Sequence, residues 1–159
     1  KSEKPRYASN PDLVPKAGAI IPSEQIGHAV LVAHKYEAML DFYKNIAGLD
    51  VSYAASDGSY AVLTGPLGRR DLVLLPSAKG RSPGMHHVGF EVRSEAHVEE
   101  AETGLREAGI VIEASVNSSS KRSFFVQDPD GIRLEFYASL DNSLDDLSNS
   151  SGLDIGYLL

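Results

Sequence analysis

Two histidines and one glutamate carry the clearest chemical pattern in this sequence. His28 and His87 stand near the start of two similar segments, and Glu135 lies in the stretch RLEFY that closes the second. Because the chain has no cysteine, its metal ligands must be imidazole or carboxylate groups. Two imidazoles and one carboxylate suit Fe(II), Mn(II) or Zn(II) and leave coordination positions open for substrate, water or O₂. These residue types therefore predict a divalent metal centre with three protein ligands.

An internal repeat explains why the two histidines correspond. The segments GHAVLVAHKYEAMLDFYKNIAGLDVSY and HHVGFEVRSEAHVEEAETGLREAGIVIEA both have the pattern of strand, helix and strand. Aligning His28 with His87 gives an offset of 59 residues (87 − 28), and aligning Leu49 with Ile110 gives 61 (110 − 49). The two offsets therefore differ by only about two residues, so the segments align along nearly their whole length.

Each copy predicts the same order of elements, β-α-β-β-β. The apolar stripes that predict the helices are Met39, Phe42, Tyr43 and Ile46 in the first copy and Val98, Ala101, Leu105 and Ala108 in the second. The strands predicted after the helices are Leu49–Ala55, Tyr60–Thr64 and Asp71–Leu75, then Ile110–Ala114, Ser123–Gln127 and Arg133–Tyr137. We expect an α+β fold in which two paired β-α-β-β-β modules enclose a metal-binding cavity between curved mixed sheets.

The domain organisation follows from this repeat. Residues 1–24 are predicted to be an N-terminal extension, residues 25–138 a single domain and residues 139–159 an acidic C-terminal tail. Within the domain, module one covers 25–75, a linker covers 76–85 and module two covers 86–138. The tail ends in IGYLL, which is apolar enough to dock on the body of the protein or on a partner chain.

Strand alternation predicts which side chains face the cavity. His87 shares one strand face with Glu91, and Glu135 shares one with Tyr137, while the opposite faces are wholly apolar and suit contact with helices. The repeat places His28 on the same inner side. A buried carboxylate without a partner is costly, and a metal ion would supply that partner.

Charge and hydropathy exclude several classes of function. The formal net charge of −7 argues against a nucleic-acid-binding protein, since such proteins need a basic face. No apolar run approaches the roughly 18 residues that cross a bilayer, and the first residues lack the apolar core of a secretory signal. We expect a cytoplasmic protein without a membrane partner. The basic residues near the loops are interpreted as ordinary loop charges, and the alternative is that they line the cavity mouth and attract an anionic substrate: Arg69, Arg70, Lys79, Arg81, Lys121 and Arg122.

The segments IGHAVLVAHKYEAMLDFYKNIAGLDV, GMHHVGFEV and FFVQDPDGIRLEFY resemble the vicinal oxygen chelate superfamily, which includes glyoxalases, bleomycin-resistance proteins and extradiol dioxygenases. The resemblance runs from about Gln25 to Ala138. It implies paired modules of the kind predicted above and carries the metal positions onto His28, His87 and Glu135. The adjacent His86 would then point to the opposite face as a structural residue.

The resemblance is closest to the extradiol dioxygenase branch. Members with a fourth protein ligand take it from the last strand of the first module, where this chain has only the apolar residues of DLVLL. A three-ligand centre implies Fe(II) as the favoured metal, with Mn(II) or Zn(II) as alternatives. It also implies a small-molecule substrate, such as a catechol, that chelates the metal through two oxygens.

The sequence departs from that branch at its acid/base positions. Phe125 stands where such dioxygenases have a tyrosine, and Val116–Lys121 contains no histidine. The remaining candidates for proton transfer are Glu91 and Tyr137. Two alternatives therefore stay open, a glyoxalase-like lyase or isomerase that uses Glu91 as base, and a non-catalytic protein that sequesters a small molecule. The apolar C-terminus and the resemblance together predict a homodimer.

Overall fold

The structure is a computed structural model that describes residues 18–66, 68, 70–140 and 153–159. It contains two consecutive β-α-β-β-β units, which confirms the predicted α+β class. In chain order the elements are β1 (Ser23–Ala33), α1 (Tyr36–Asn45), β2 (Asp50–Ala54), β3 (Ala61–Thr64), β4 (Leu72–Pro76), β5 (Gly84–Val92), α2 (Glu95–Glu107), β6 (Ala114–Asn117), β7 (Lys121–Gln127), β8 (Arg133–Ser139) and α3 (Ile155–Leu158).

The eight strands form one mixed sheet in the order β2-β3-β4-β1-β5-β8-β7-β6. Each module contributes one parallel pair, β1 with β4 and β5 with β8. Antiparallel pairing of β1 with β5 joins the two halves, so neither module leaves its first strand as an open edge. The four-stranded halves are therefore continuous at the centre of the molecule, where β1, β5 and β8 lie side by side.

Helix α2 packs on the second half of the sheet through three of the four residues of the predicted stripe, and the prediction is wrong for Ala108, which follows the last helical residue and is exposed. Val98, Ala101 and Leu105 are buried in a core cluster with Phe124 and Phe136. The helix begins after Ser94, whose hydroxyl oxygen accepts a hydrogen bond from the backbone N–H of His97 at 3.3 Å. Capping and the apolar stripe therefore agree in placing this helix.

Helix α1 buries less than its sequence predicts. Met39 and Tyr43 pack against the first half of the sheet, but Phe42 and Ile46 are 50% and 73% exposed. The predicted four-residue stripe is wrong at those two positions, because only a narrow strip of this short helix reaches the sheet. After α1 ends at Asn45, the backbone at Gly48 has a φ of +74°, a conformation that favours glycine.

Strand β6 also differs from its prediction, which was Ile110–Ala114. The chain after Gly109 stays outside the strand ladder until Ala114, which pairs with Phe125 of β7. Ile112 packs on the core cluster around α2 while Val111 is 82% exposed. The apolar residues of this stretch therefore belong to the loop between α2 and β6, which packs on the core and does not pair within the sheet.

The last residues of the chain dock on its body. Leu158 packs with Val116 and Phe125, whereas Leu159 packs with the core cluster of the first module, which includes Val30. The acidic stretch of the predicted tail falls in residues 141–152, outside the described residues. The homodimer stays a prediction.

Within the described ranges, no helix has the length and apolar character needed to span a membrane.

Candidate metal centre

Three neighbouring strands supply the predicted ligands. His28 lies in β1, His87 in β5 and Glu135 in β8. The register pairs His28 with Gly89 and Gly89 with Glu135, so Gly89 lies between two of the ligands. A Cβ atom at Gly89 would overlap the His28 ring. The missing side chain at this position therefore lets the imidazole of His28 lie across β5 toward Glu135.

The three side chains converge on one buried point. The His28 Nε2 atom lies 3.0 Å from Glu135 Oε1, and the His87 Nε2 atom lies 3.4 Å from the same oxygen. One ligand atom from each residue falls within 4.8 Å of the others. His28 is 6% exposed, and His87 and Glu135 are fully buried. The structure thus brings together the three residues that the sequence singled out.

These ligand atoms fit a divalent metal ion. Apart from their contacts with one another, His28 Nε2, His87 Nε2 and Glu135 Oε1 are buried without a hydrogen-bond partner. Buried polar atoms in folded proteins are almost always hydrogen-bonded or bound to a metal, because desolvation is otherwise uncompensated. One ion bound to all three atoms would satisfy them together, and two histidines with one carboxylate are a common donor set for such an ion.

Glu135 is also held through its second oxygen. The Lys121 ammonium contacts Oε2, and the Ser123 hydroxyl donates to the same atom at 2.8 Å. Lys121 is only 1% exposed. The interpretation of Lys121 as a loop charge is therefore wrong. Strand β7 begins at Lys121, two residues before the predicted start, and strand alternation then turns Lys121, Ser123 and Phe125 to the same inner face.

Arg122 is likewise not a loop charge, because its side chain is 13% exposed and pairs with Glu102 of α2 at 2.6 Å. Neighbouring positions of β7 therefore send two cations to opposite faces of the sheet, Lys121 inward and Arg122 toward the helix. The alternation K-x-S-x-F in the sequence places Lys121, Ser123 and Phe125 on one strand face but does not indicate that this face is buried.

The electrostatic surroundings favour the protonation states that metal ligands need. Burial acts to raise the pKa of Glu135, but Lys121 and the two imidazoles hold that pKa well below its ordinary value. Burial lowers the pKa of His87, although Glu135 opposes the shift. Near neutral pH the glutamate is therefore ionised and His87 is neutral, so both can donate a lone pair to a cation.

His86 supports His87 and does not simply point away from it. The two Nδ1 atoms lie 2.7 Å apart, and the His86 ring also meets the edge of the Tyr157 ring at 5.0 Å between centroids. Burial and the adjacent His87 lower the pKa of His86 to about 4. A metal on Nε2 of His87 requires the proton of that ring on Nδ1, from which it is donated to neutral His86.

A polar pocket of about 440 Å³ opens beside His28. Its lining includes both candidates for proton transfer, Glu91 and Tyr137, together with Arg70. Arg69 lies outside the described residues. The Tyr137 ring lies 4.8 Å from the His28 ring, centroid to centroid, and burial raises the pKa of its phenol. Glu91 accepts a hydrogen bond of 2.8 Å from the Gln25 side chain.

Phe125 lies against the opposite side of the centre. Its ring is fully buried and meets the His87 ring edge-on at 5.0 Å between centroids. A phenyl group has no proton to transfer, so Phe125 supports His87 only by packing. Polar groups that could act on a substrate lie on the other side, around the pocket at His28.

Comparison with known proteins identifies the family. A model of the Glyoxalase/Bleomycin resistance protein/Dioxygenase superfamily matches residues 25–136. The chain belongs to this superfamily. Its members include many metal-dependent enzymes, in keeping with the three converging ligands. A comparison with curated protein sequences found no match.

Solved structures show the same fold at low sequence identity. Homoprotocatechuate 2,3-dioxygenase from Brevibacterium fuscum, in a complex with 3,4-dihydroxyphenylacetate, is 24% identical with a TM-score of 0.63, over 74% of this chain and 37% of that chain. The Mn(II)-bound glyoxalase from Novosphingobium aromaticivorans is 20% identical with a TM-score of 0.63, over 73% of this chain and 38% of that chain. The present chain therefore spans little more than a third of either neighbour.

Proposed function

We propose that this chain is a metal-dependent enzyme that binds a small substrate through two of the substrate's oxygens at His28, His87 and Glu135. The observation that carries the proposal is the convergence of three buried ligand atoms that lack hydrogen-bond partners. A purely structural role would leave His28 Nε2, His87 Nε2 and Glu135 Oε1 with contacts only to one another, whereas Glu135 Oε2 is satisfied by Lys121 and Ser123. The adjacent polar pocket gives a substrate access to the side of the centre formed by His28.

Within this class, oxidative ring cleavage of a catechol is the reaction that we favour. Two histidines and one carboxylate with open coordination positions are typical of Fe(II) oxygenases, and a structural neighbour is a dioxygenase. When bound, Fe(II) would supply the O₂ chemistry. Mn(II) and Zn(II) are the alternative metals.

Residues of the pocket would orient the substrate and move its protons. Tyr137 keeps its proton near neutral pH, because burial raises its pKa, so its hydroxyl serves as a hydrogen-bond donor to a substrate oxygen. Glu91 lines the same pocket and is the carboxylate we assign as proton acceptor. The fully buried Phe125 itself offers no acid/base group to a substrate.

A glyoxalase-like lyase or isomerase is the second candidate. Phe125 replaces a tyrosine of the dioxygenase branch and no histidine occurs in Val116–Lys121, whereas Glu91 is a carboxylate at the pocket wall. In this case Glu91 removes a proton from carbon and O₂ takes no part. The choice between the two reactions therefore depends on whether turnover consumes O₂.

The first test is metal binding by the purified protein. We expect about one Fe(II), Mn(II) or Zn(II) per chain, and expect Glu135→Gln to weaken retention by at least about tenfold, because an amide oxygen is a poorer ligand than a carboxylate. Glu99→Gln, which changes a carboxylate that is 59% exposed, is the matched control. If the wild-type chain binds no divalent metal, the proposed function is wrong.

The second test separates the reactions. The protein is loaded with Fe(II) without O₂ and then offered a panel of catechols in air, with O₂ uptake and the yellow ring-fission product as readouts. A parallel panel of hemithioacetals is tested without O₂ on the Mn(II) and Zn(II) forms. Turnover of a hemithioacetal alone would select the lyase, while tight binding of ligands without any turnover would favour a sequestering protein.

A further inference from the structure

Lys121 is a buried cation in contact with a proposed metal ligand. The side chain is 1% exposed, and its ammonium pairs with the carboxylate of Glu135, which is fully buried. The ammonium also lies 5.6 Å from the centre of the Phe125 ring. A buried lysine needs a partner of opposite charge, and Glu135 is that partner, so each charge of the pair offsets the desolvation of the other.

The two oxygens of Glu135 face different partners. Oε2 meets the Lys121 ammonium and accepts a hydrogen bond of 2.8 Å from Ser123. Oε1 faces the two imidazoles, with His28 Nε2 at 3.0 Å and His87 Nε2 at 3.4 Å. The Lys121 ammonium thus balances the negative charge at Oε2, while Oε1 is directed toward the proposed ion.

We propose that Lys121 is a positioning residue that stabilises the metal-free centre and lowers its affinity for divalent metal. This inference rests on the proposed metal centre of the preceding section. Without metal, the ammonium supplies the positive charge that the buried Glu135 needs. With metal, two cations share one carboxylate in a buried site, where repulsion between them is weakly screened. The centre is therefore built to exchange its metal and not to hold it permanently.

Two substitutions separate the charge of Lys121 from the orientation of Glu135. Lys121→Met keeps a long unbranched side chain and removes the charge, while Ser123 still holds Oε2 in place. Ser123→Ala removes a hydrogen bond to the same oxygen and leaves the charge of Lys121 unchanged. A residue with only a structural role would weaken metal binding when replaced, so an increase in affinity distinguishes the proposal.

The experiment measures Mn(II) and Zn(II) dissociation constants by chelator competition on the full chain, together with the Tm of each metal-free variant. We expect Lys121→Met to bind metal at least about tenfold more tightly and to have a lower metal-free Tm. We expect Ser123→Ala to bind metal with unchanged or lower affinity. Equal or weaker metal binding by Lys121→Met would overturn the inference.

Two further outcomes keep the test decisive. If Lys121→Met does not fold without metal, addition of Mn(II) should restore its folded state, and failure of Mn(II) to do so would contradict the proposal. If the wild-type chain and both variants bind no metal, the proposed function fails as well. Metal binding by the wild-type chain with no gain in Lys121→Met would refute only the role given to Lys121.

Discussion

Side chains around the proposed metal centre orient the proposed ligands that they contact. His87 is the clearest case, because His86 meets its Nδ1 atom at 2.7 Å and Phe125 packs edge-on against its ring. A ligand imidazole that is held on both sides loses little rotational freedom on binding a metal. We therefore assign the orientation of His87 to residues that themselves bind no ion.

Replacing His86 tests this assignment. Since His86→Leu removes the partner of His87 Nδ1, the affinity for metal should fall by about 10- to 100-fold, the usual effect of losing a hydrogen bond to a metal-bound histidine. The measurement is competition with a chelator for Mn(II). His34→Leu, at an exposed position, is the control and should leave affinity unchanged. An unchanged affinity in His86→Leu would show that packing alone orients His87.

The sequence was sufficient to predict that His28, His87 and Glu135 lie together, but not the buried residue beside them. His28, His87 and Glu135 could be found because a repeat and strand alternation place them on one inner face. Lys121 could not be recognised, since a lysine next to a turn is normally exposed. Its burial depends on contact with Glu135 from another strand, a tertiary interaction that no local pattern contains.

At the scale of elements, α2 is attached to the sheet by charge as well as by apolar packing. Glu102 of α2 is 5% exposed and accepts hydrogen bonds of 2.6 Å from both Ser115 of β6 and Arg122 of β7. Arg106, one turn along the helix, donates to it at 2.8 Å. This cluster joins the helix to β6 and β7.

The cluster predicts a dependence of stability on acid. Burial acts to raise the pKa of Glu102, but hydrogen bonds from Ser115 and Arg122 hold it below its ordinary value of 4.5. A carboxyl group whose pKa is lower in the folded state stabilises that state above the ordinary pKa, and this contribution disappears as the pH falls through the lowered pKa.

Glu102→Gln should therefore lower the free energy of unfolding by about 1–3 kcal/mol at pH 7. The difference from the wild type should shrink as the pH falls below about 4.5. Urea denaturation across this range measures both effects, and Glu100→Gln at an exposed position of the same helix is the control. A difference that is constant with pH would rule out the carboxylate charge as the cause.

The elements show where local patterns predict structure and where they do not. The stripe of Val98, Ala101, Leu105 and Ala108 was sufficient to predict α2, although Ala108 follows the helix end and is exposed. For α1 the same reasoning included Phe42 and Ile46, which are exposed. The width of a buried helix face depends on how the helix lies on its sheet, and periodicity alone does not determine that.

For the molecule as a whole, the closing residues link both halves. Leu159 is 2% exposed among the apolar residues of the first module, and Leu158 packs on the second. Leu159→Ala should lower the free energy of unfolding by about 2–4 kcal/mol through loss of buried surface and the resulting cavity. Thermal and urea denaturation measure this cost. Leu140→Ala, at a side chain 42% exposed, should cost far less.

The antiparallel pairing of β1 with β5 has a consequence for the kinetics of folding. His28 comes from the first half of the sheet, and His87 and Glu135 come from the second, so the complete ligand set exists only after the halves have joined. A metal ion held by all three proposed ligands would therefore bind the joined halves and neither half alone. Stopped-flow measurements with Mn(II) should show slower unfolding and an unchanged refolding rate. Bound metal would slow unfolding and so lengthen the lifetime of the native state, without changing how that state forms.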